Sequence, residues 1–400
     1  MLLDELRERE AEGRPIRVGL IGAGAMGTGI AWQVSRTPGM ELVFIGDIDL
    51  HAATEAALLS GHETRVVEDP NAIPEPREPR EVFVTGDPLS LLEGAGSWEV
   101  EVVVESSNTV GAAARYCFAA IERGLHVVLM NAEVDLALGP LLFQVAQKKG
   151  VVLTSDAGDQ HGVLRTMIDE IQLWGFDIVQ AGNIKGFLDR YATPESIAAE
   201  AEKRHLSAIQ CCAYTDGSKL SIEMACLANS AGLLPSRPGM SGPAASSVSE
   251  VFRLFDFDSY GGEGKIDYIL GAEPGGGVYV VGHCEDPLQE RYMAYYKMGD
   301  GPYYLFYRPY HLCHVETPRA IAEAALHGRA VMTPSAGRLT DVYAYAKRDL
   351  VAGDRVAHAI GGAEFYGMVE ACGDADPLGK VPLALLENEG GEQPSMSAPL

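Results

Sequence analysis

Residues 16–27 read "IRVGLIGAGAMG", a continuous apolar run that passes directly into three glycines. An apolar run without alternation is expected of a parallel strand covered on both faces. Gly22, Gly24 and Gly27 have the spacing G-x-G-x-x-G. Such glycines allow a tight turn and a close backbone approach, and the unpaired N–H groups of the helix that follows attract an anion. Taken alone the glycine spacing is weak, so its surroundings carry the reading.

Those surroundings repeat the pattern. Apolar runs recur at "ELVFIGD" (41–47), "EVFVTGD" (81–87), "EVEVVVE" (99–105), "HVVLMN" (126–131) and "VVLTSD" (151–156), with helix-like stretches at 109–123 and 136–149. Strand and helix in alternation predict an α/β fold, a doubly wound parallel sheet of the Rossmann type. The second strand ends at Asp47, about 20 residues beyond Gly27, where a carboxylate can accept from a ribose hydroxyl. A dinucleotide-binding loop is therefore expected, with contacts from Gly22, Gly24, Ala25, Met26, Gly27 and Asp47. Asp47 is followed by Ile48, Asp49, Leu50 and His51, with no arginine for a 2′-phosphate. The cofactor expected is NAD or NADP, with NAD favoured. Ser106 and Ser107 in "ESSNT", and Asn131 after the next strand, are further cofactor candidates; the same small polar residues also suit helix N-caps.

The chain has 400 residues, 47% hydrophobic and 22% charged, which suits two or three globular domains. A net charge of −25 argues against nucleic-acid and membrane partners, both of which present phosphate. The opening "MLLDELRERE" reads as neither a signal peptide nor a membrane span. Seven scattered cysteines read as reduced thiols in a cytoplasmic protein. The expected organisation is a dinucleotide-binding domain over 1–156, an α+β substrate domain over 157–330, a small β-rich module over 331–386 and a disordered polar tail over 387–400. Helices are expected at 160–173, 194–206, 218–230 and 317–327, a strand at 177–184, and β-strands with turns across 235–310. The segment 67–80, with four prolines, reads as a surface excursion.

A dehydrogenase moves a proton as well as a hydride, so acid/base groups are sought beyond the sheet. In "YTDGSKLSIE" (214–223) Asp216 and Lys219 flank a glycine at a helix start, and Glu223 lies one helical turn after Lys219. In "AGNIKGF" Lys185 stands between an apolar strand and a glycine. Lys185, Lys219, Asp216 and Glu223 are the catalytic candidates, because a lysine in a water-poor pocket has a lowered pKa. The substrate-binding candidates are Asn183, Asp156, His161, Lys297, Arg308 and His311, the last three being basic groups suited to a phosphate or carboxylate. His311, Cys313, His314 and Glu316 match no standard zinc spacing, so no metal-ligating residues are assigned; a divalent metal is possible as a cofactor but not indicated. A G-x-S-x-G hydrolase motif is absent.

The motifs "GAGAMG", "VVVESSNT", "AIERGLHVVLMNAEVDLALG" and "GNIKGF" together resemble homoserine dehydrogenase. Their pairing with "GAEPGGGVYVVG", "KMGDGPYYLFYRPYHLCHVETP" and "AKRDLVAGDRVAHAIGG" is similar to a narrower group with a C-terminal SAF-type module. Some members of that group are described as reductoisomerase-like, converting 1-deoxyxylulose 5-phosphate into methylerythritol phosphate with NADPH. The resemblance implies an NAD(P)-dependent oxidoreductase acting on a small hydroxylated, anionic substrate, and a homo-oligomer. Homoserine dehydrogenases carry Asn-Lys where this chain has Asn131-Ala132, and Asn-Gly where it has Lys185-Gly186, so a substrate other than homoserine is expected. Two further readings stand beside this one: a homoserine-dehydrogenase-like enzyme of another hydroxy or oxo metabolite, and a non-catalytic dinucleotide sensor or assembly protein.

Overall fold

The computed structural model describes residues 1–69, 80–204, 206–273, 275–351, 354 and 356–387. Most of the expected surface excursion and all but the first residue of the expected tail lie outside these residues. The chain divides into two units: Met1–Asp159 with Leu312–Thr333, and Gln160–His311 with the segment from Pro334 onward.

The first unit is built on a seven-stranded sheet: β1 (Ile16–Ile21), β2 (Met40–Gly46), β3 (Glu63–Val66), β4 (Glu81–Thr85), β5 (Val102–Glu105), β6 (His126–Leu129) and β7 (Leu153–Ser155). Every pairing is parallel, in the order β3-β4-β2-β1-β5-β6-β7. Successive side chains on a strand point to opposite faces, which divides the apolar residues between two cores. Val18, Leu20, Val102 and Val104 face the helices Ala25–Val34 and Leu50–Leu59 and part of the helix Cys313–His327. Ile21, Val103, Val127 and Leu129 face the helices Pro88–Gly94, Gly111–Glu122 and Ala132–Lys149. The α/β, doubly wound sheet read from the apolar runs is the one observed.

The second unit holds a mixed sheet of β8 (Asp177–Lys185), β9 (Leu234–Pro235), β10 (Lys265–Leu270), β11 (Val278–His283) and β12 (Tyr303–Arg308), in the order β12-β11-β8-β10-β9. β10 runs parallel to β8, whereas β11 is antiparallel to both β8 and β12. Helices Gln160–Leu173, Pro194–Lys203, Ala208–Thr215 and Ser218–Ala231 belong to this unit. Within the span expected to be strands and turns lies a helix, Pro287–Tyr295. The tyrosines at 292 and 295 favour a strand, but Asp286 caps the amides of Leu288 and Gln289, and Pro287 occupies the first turn. That cap and the fixed proline φ outweigh the side-chain preference.

β13 (Thr340–Ala346) and β14 (Phe365–Ala371) form a separate antiparallel ladder in the second unit. The helix Ser218–Ala231, almost wholly buried, bonds to this ladder. The Ser218 hydroxyl accepts from the Gly367 amide at 2.8 Å, and Ser221 Oγ donates to the Gly367 carbonyl at 3.0 Å. Asn229 Oδ1 accepts from the Leu339 and Thr340 amides, each at 2.9 Å, and Asn229 Nδ2 donates to the Thr340 carbonyl at 3.0 Å. Glu387 is described: its carboxylate accepts from the amides of Ala359 and Ile360, both at 2.8 Å.

All seven cysteines are free thiols. Among the described residues no helix is long and apolar enough to cross a membrane.

Asn229→Ala would strip the buried Thr340 amide and carbonyl of their side-chain partner, while the Leu339 amide keeps the Gly337 carbonyl. A loss of about 2–4 kcal/mol is expected, read as a lower urea midpoint with an unchanged m-value.

Candidate functional site

In the first unit the glycines of the loop after β1 serve different ends. Gly22 has φ +93°, and a β-carbon there would stand 2.6 Å from the Ser107 amide nitrogen. A β-carbon on Gly27 would collide with the Gly22 carbonyl oxygen. Both positions are closed by backbone. Gly24 is the opposite case: nothing lies within 4 Å of an added β-carbon, and its φ of −68° suits any residue. No side chain caps the helix Ala25–Val34, whose first amides, Ala25 and Met26 among them, are therefore available to an anion. The loop thus has a packed floor and an open mouth, which is the arrangement a pyrophosphate requires.

Asp47, at the end of β2, accepts from the Ala23 amide at 2.7 Å and from the Asp49 amide at 2.8 Å, so its carboxylate is tied to the loop. Ser106 Oγ donates to the carbonyls of Ile21 and Gly22, bracing the turn from below. Ser107 donates its amide to Glu105 Oε1 at 3.0 Å. Asn131 caps the helix Ala132–Lys149 through the Glu133 and Val134 amides, and Asn131 Nδ2 donates to the Thr109 carbonyl at 2.7 Å. Asn131 and Ser106 therefore hold the loops that line the crevice.

Asp156, after β7, is wholly buried, and its Oδ2 accepts from the Gly158 and Asp159 amides at 2.7 and 3.1 Å. Burial pushes its carboxyl up to about 7, against the pull of the Thr317 hydroxyl and those amides. The helix Cys313–His327 reaches this region: a β-carbon on Gly158 would collide with the Cys313 carbonyl oxygen, and one on Gly29 would meet the His314 ring at 2.5 Å. Burial lowers the pKa of His314. The contact between Gly29 and His314 joins residues far apart in the chain, and only the small Gly29 in the loop helix hints at it.

In the second unit β8 and the start of the helix Ser218–Ala231 bring the lysine candidates together. Lys185 closes β8; burial lowers its pKa, and the charges of Glu223 and Asp216 oppose that shift. Lys219 Nζ lies 4.0 Å from Glu223 Oε1, with both side chains largely buried. A cation in the first turn opposes the helix dipole, so Lys219 does not serve the helix, and Glu223 offsets its charge. Asp216 has a different partner. Its Oδ2 pairs with Lys347 Nζ at 2.8 Å, both side chains being sealed from solvent, while Oδ1 accepts from the Ser218 amide at 2.8 Å. Lys347 also donates to the carbonyls of Ala192 and Gly362 at 2.6 and 2.7 Å. The neighbouring Cys212 thiol is pushed up to about 11, first by burial and then by the Asp216 charge, which leaves it unreactive at neutral pH.

Asn183 and Lys185 lie on one face of β8, and Asn183 Nδ2 donates to Gln160 Oε1. His161 is buried in the first turn of the helix Gln160–Leu173. Arg308 ends β12, stands across β11 from Asn183, and stacks on Tyr310 at 4.4 Å. His311 Nδ1 donates to the Gly276 carbonyl at 2.9 Å. Lys297 is exposed and lies ahead of β12, whose first residue stands across β11 from Asp177, at the far end of β8 from Lys185. The structure does not bring it to the lysine cluster.

Residues 22–155 match the model of the homoserine dehydrogenase NAD-binding domain, and residues 158–317 match that of the "Oxidoreductase DRL, catalytic domain". The chain is an NAD(P)-dependent oxidoreductase. No protein of curated function matches the sequence. Among solved structures, a homoserine dehydrogenase from Thiobacillus denitrificans is 16% identical with a TM-score of 0.45, covering 82% of each chain. A myo-inositol dehydrogenase from Lactobacillus casei, in complex with NAD(H) and myo-inositol, is 21% identical with a TM-score of 0.31, over 48% of this chain and 53% of that one. A biliverdin reductase from Synechocystis, in complex with biliverdin and NADP+, is 17% identical with a TM-score of 0.31, over 50% of this chain and 57% of that one. The oxidoreductase thus spans about half the length of the last two.

Gly24→Ala tests the open mouth of the loop. The free protein is expected to keep its stability to within about 0.5 kcal/mol, since the β-carbon meets nothing. Dinucleotide affinity is expected to fall about tenfold or more if a pyrophosphate approaches the loop through that space, as the glycine spacing implies. Equal affinity in a fluorescence titration would contradict the assignment. In the second unit Lys347→Met should cost about 3–5 kcal/mol by stranding Asp216, and Lys347→Met with Asp216→Asn should cost clearly less than the two single losses summed. Chemical denaturation of the four proteins measures both.

Proposed function

We propose that this oxidoreductase acts on a small hydroxylated, anionic carbon compound, with Lys185 and Lys219 holding and protonating the carbonyl oxygen. The observation that carries the reading is Lys185 itself: burial lowers its pKa against the opposing charges of Glu223 and Asp216, and Glu223 also pairs with Lys219. A lysine so placed gives and takes a proton far more readily than an exposed one. Arg308 and His311 supply the anion-binding end. The Arg308 row lies two strands from the Asn183 row, about 10 Å at ordinary strand spacing, a span that suits a short phosphorylated or carboxylated carbon chain. Asn183, Asp156 and His161 are the remaining substrate-binding residues of the proposal.

Within this class the reaction proposed is the reductive isomerisation of 1-deoxyxylulose 5-phosphate to methylerythritol phosphate. The lysines would then also stabilise the enediolate-like charge of the skeletal rearrangement, and such electrostatic stabilisation is usually the largest catalytic contribution. The cofactor proposed is NAD(H). The Asp47 carboxylate is tied to the loop and followed by a second acid, Asp49, so it suits a ribose hydroxyl and repels a 2′-phosphate. Seven free thiols support placing the enzyme in the cytoplasm, and the resemblance supports a homo-oligomer.

The test is oxidation of NADH and NADPH, in parallel, by the purified protein with 1-deoxyxylulose 5-phosphate and magnesium or manganese present. Turnover is expected, faster with NADH. Replacing Lys185 and Lys219 together by alanine should reduce it about 10²-fold or more, with dinucleotide affinity unchanged. Turnover that survives the double replacement would remove the catalytic assignment. No turnover with either nucleotide, once both are seen to bind, would exclude this substrate and return the search to other hydroxylated anions.

A further inference from the structure

Glu105 is the last residue of β5 and stands in register with Ile21, the last residue of β1. At this pair the sheet order turns: β2 lies on one side of β1, and β5, β6 and β7 follow on the other. In doubly wound sheets a dinucleotide lies across the crevice at such a turning point. The structure accommodates one there, because the Gly24 position is open and the Gly22 and Gly27 positions are packed beneath it.

The strand reads Val102, Val103, Val104, and then a wholly buried glutamate. Packing does not explain it, since a fourth valine would serve the core without the cost of burying a carboxyl. Oε1 accepts from the Ser107 amide at 3.0 Å, and Ser107 in turn packs against Gly22. Oε2 is buried and finds no hydrogen-bond partner among the described residues. The groups that bear on the carboxyl are Ser107 and Asn131, which favour its charge, and Glu133, from the helix Ala132–Lys149, which opposes it. Tyr116 and Cys117, on the helix Gly111–Glu122, feel its charge in return. Burial pushes the carboxyl up to about 7.

We propose that Glu105 makes the dinucleotide site discriminate between oxidised and reduced cofactor. The oxidised nicotinamide ring carries one more positive charge than the reduced ring. An ionised Glu105 favours the oxidised form, and a protonated Glu105 removes that preference. The pyrophosphate and riboses are common to both forms, so their contribution cancels in the ratio of the two affinities. The sign follows: as pH rises through about 7, NAD+ binds more tightly relative to NADH.

The test measures Kd for NAD+ by calorimetry and for NADH by fluorescence, with no substrate, from about pH 5.5 to about pH 8.5. The ratio Kd(NADH)/Kd(NAD+) is expected to rise about five- to tenfold in the wild-type protein, centred near neutrality, and to stay level in Glu105→Gln. The amide of that variant keeps an acceptor for the Ser107 N–H; Glu105→Met, similar in volume and without a titrating group, is the second variant. A second readout comes from the free protein. A carboxyl whose folded pKa is raised from 4.5 to about 7 loses stability as pH climbs through that window, since the unfolded chain gives up its proton first. Both variants should lack that component. A ratio that is level in the wild-type protein, or that rises equally in a folded variant, overturns the proposal.

Discussion

The first unit depends on one close approach. Gly27 lies so near the Gly22 carbonyl that a β-carbon would collide with its oxygen, and Ser106 Oγ lies beneath both. This contact lets the helix Ala25–Val34 start directly against β1, aiming its uncapped amides into the crevice between β1 and β5. It also sets the height of the Ser107 amide, which Glu105 holds from inside the sheet. A larger residue at either glycine would lift the helix, and with it the anion site. Gly24 takes no part in this packing and leaves the mouth of the site open.

In the second unit the corresponding constraint is the ion pair between Lys347 and Asp216. A buried pair of this kind gains little net stability over apolar packing, yet each partner is costly without the other. What the pair supplies is position. Asp216 ties one oxygen to Lys347 and the other to the Ser218 amide, which marks the start of the helix that carries Lys219 and Glu223. Lys347 in turn collects the carbonyls of Ala192 and Gly362, so three distant chain segments meet at one ammonium. The β13–β14 ladder then closes over the same helix through Asn229 and Ser218. The lysine cluster is thus held by an element read from sequence as a separate β-rich module.

The two units show carboxyl groups under different regimes. Asp47 and Asp216 have their oxygens occupied by backbone amides or an ammonium. Glu105 and Asp156 are buried at the ends of parallel strands, each with one oxygen that meets no hydrogen-bond partner among the described residues, and burial pushes both to about 7. Each also holds backbone amides through its other oxygen, so the burial of a whole carboxyl at the ligand side of the sheet serves the loop and sets a charge beside it.

By itself the sequence determined the doubly wound sheet, the glycine loop, Asp47 at the end of β2 and the lysine-bearing bends at 185 and 219. All of these are local: they rest on apolar periodicity, on backbone freedom at glycine, and on short spacings along one strand–turn–helix. The helix Pro287–Tyr295 was legible too, through Asp286-Pro287, but the tyrosine composition masked it. Only the tertiary structure decided that Lys347 pairs with Asp216, that His314 lies over Gly29, that Lys297 stands away from the lysine cluster and that Glu105 is wholly buried. Each of these depends on which segments far apart in the chain come into contact, and on what burial then does to a charge. Neither quantity is encoded in the spacing of residues along the chain.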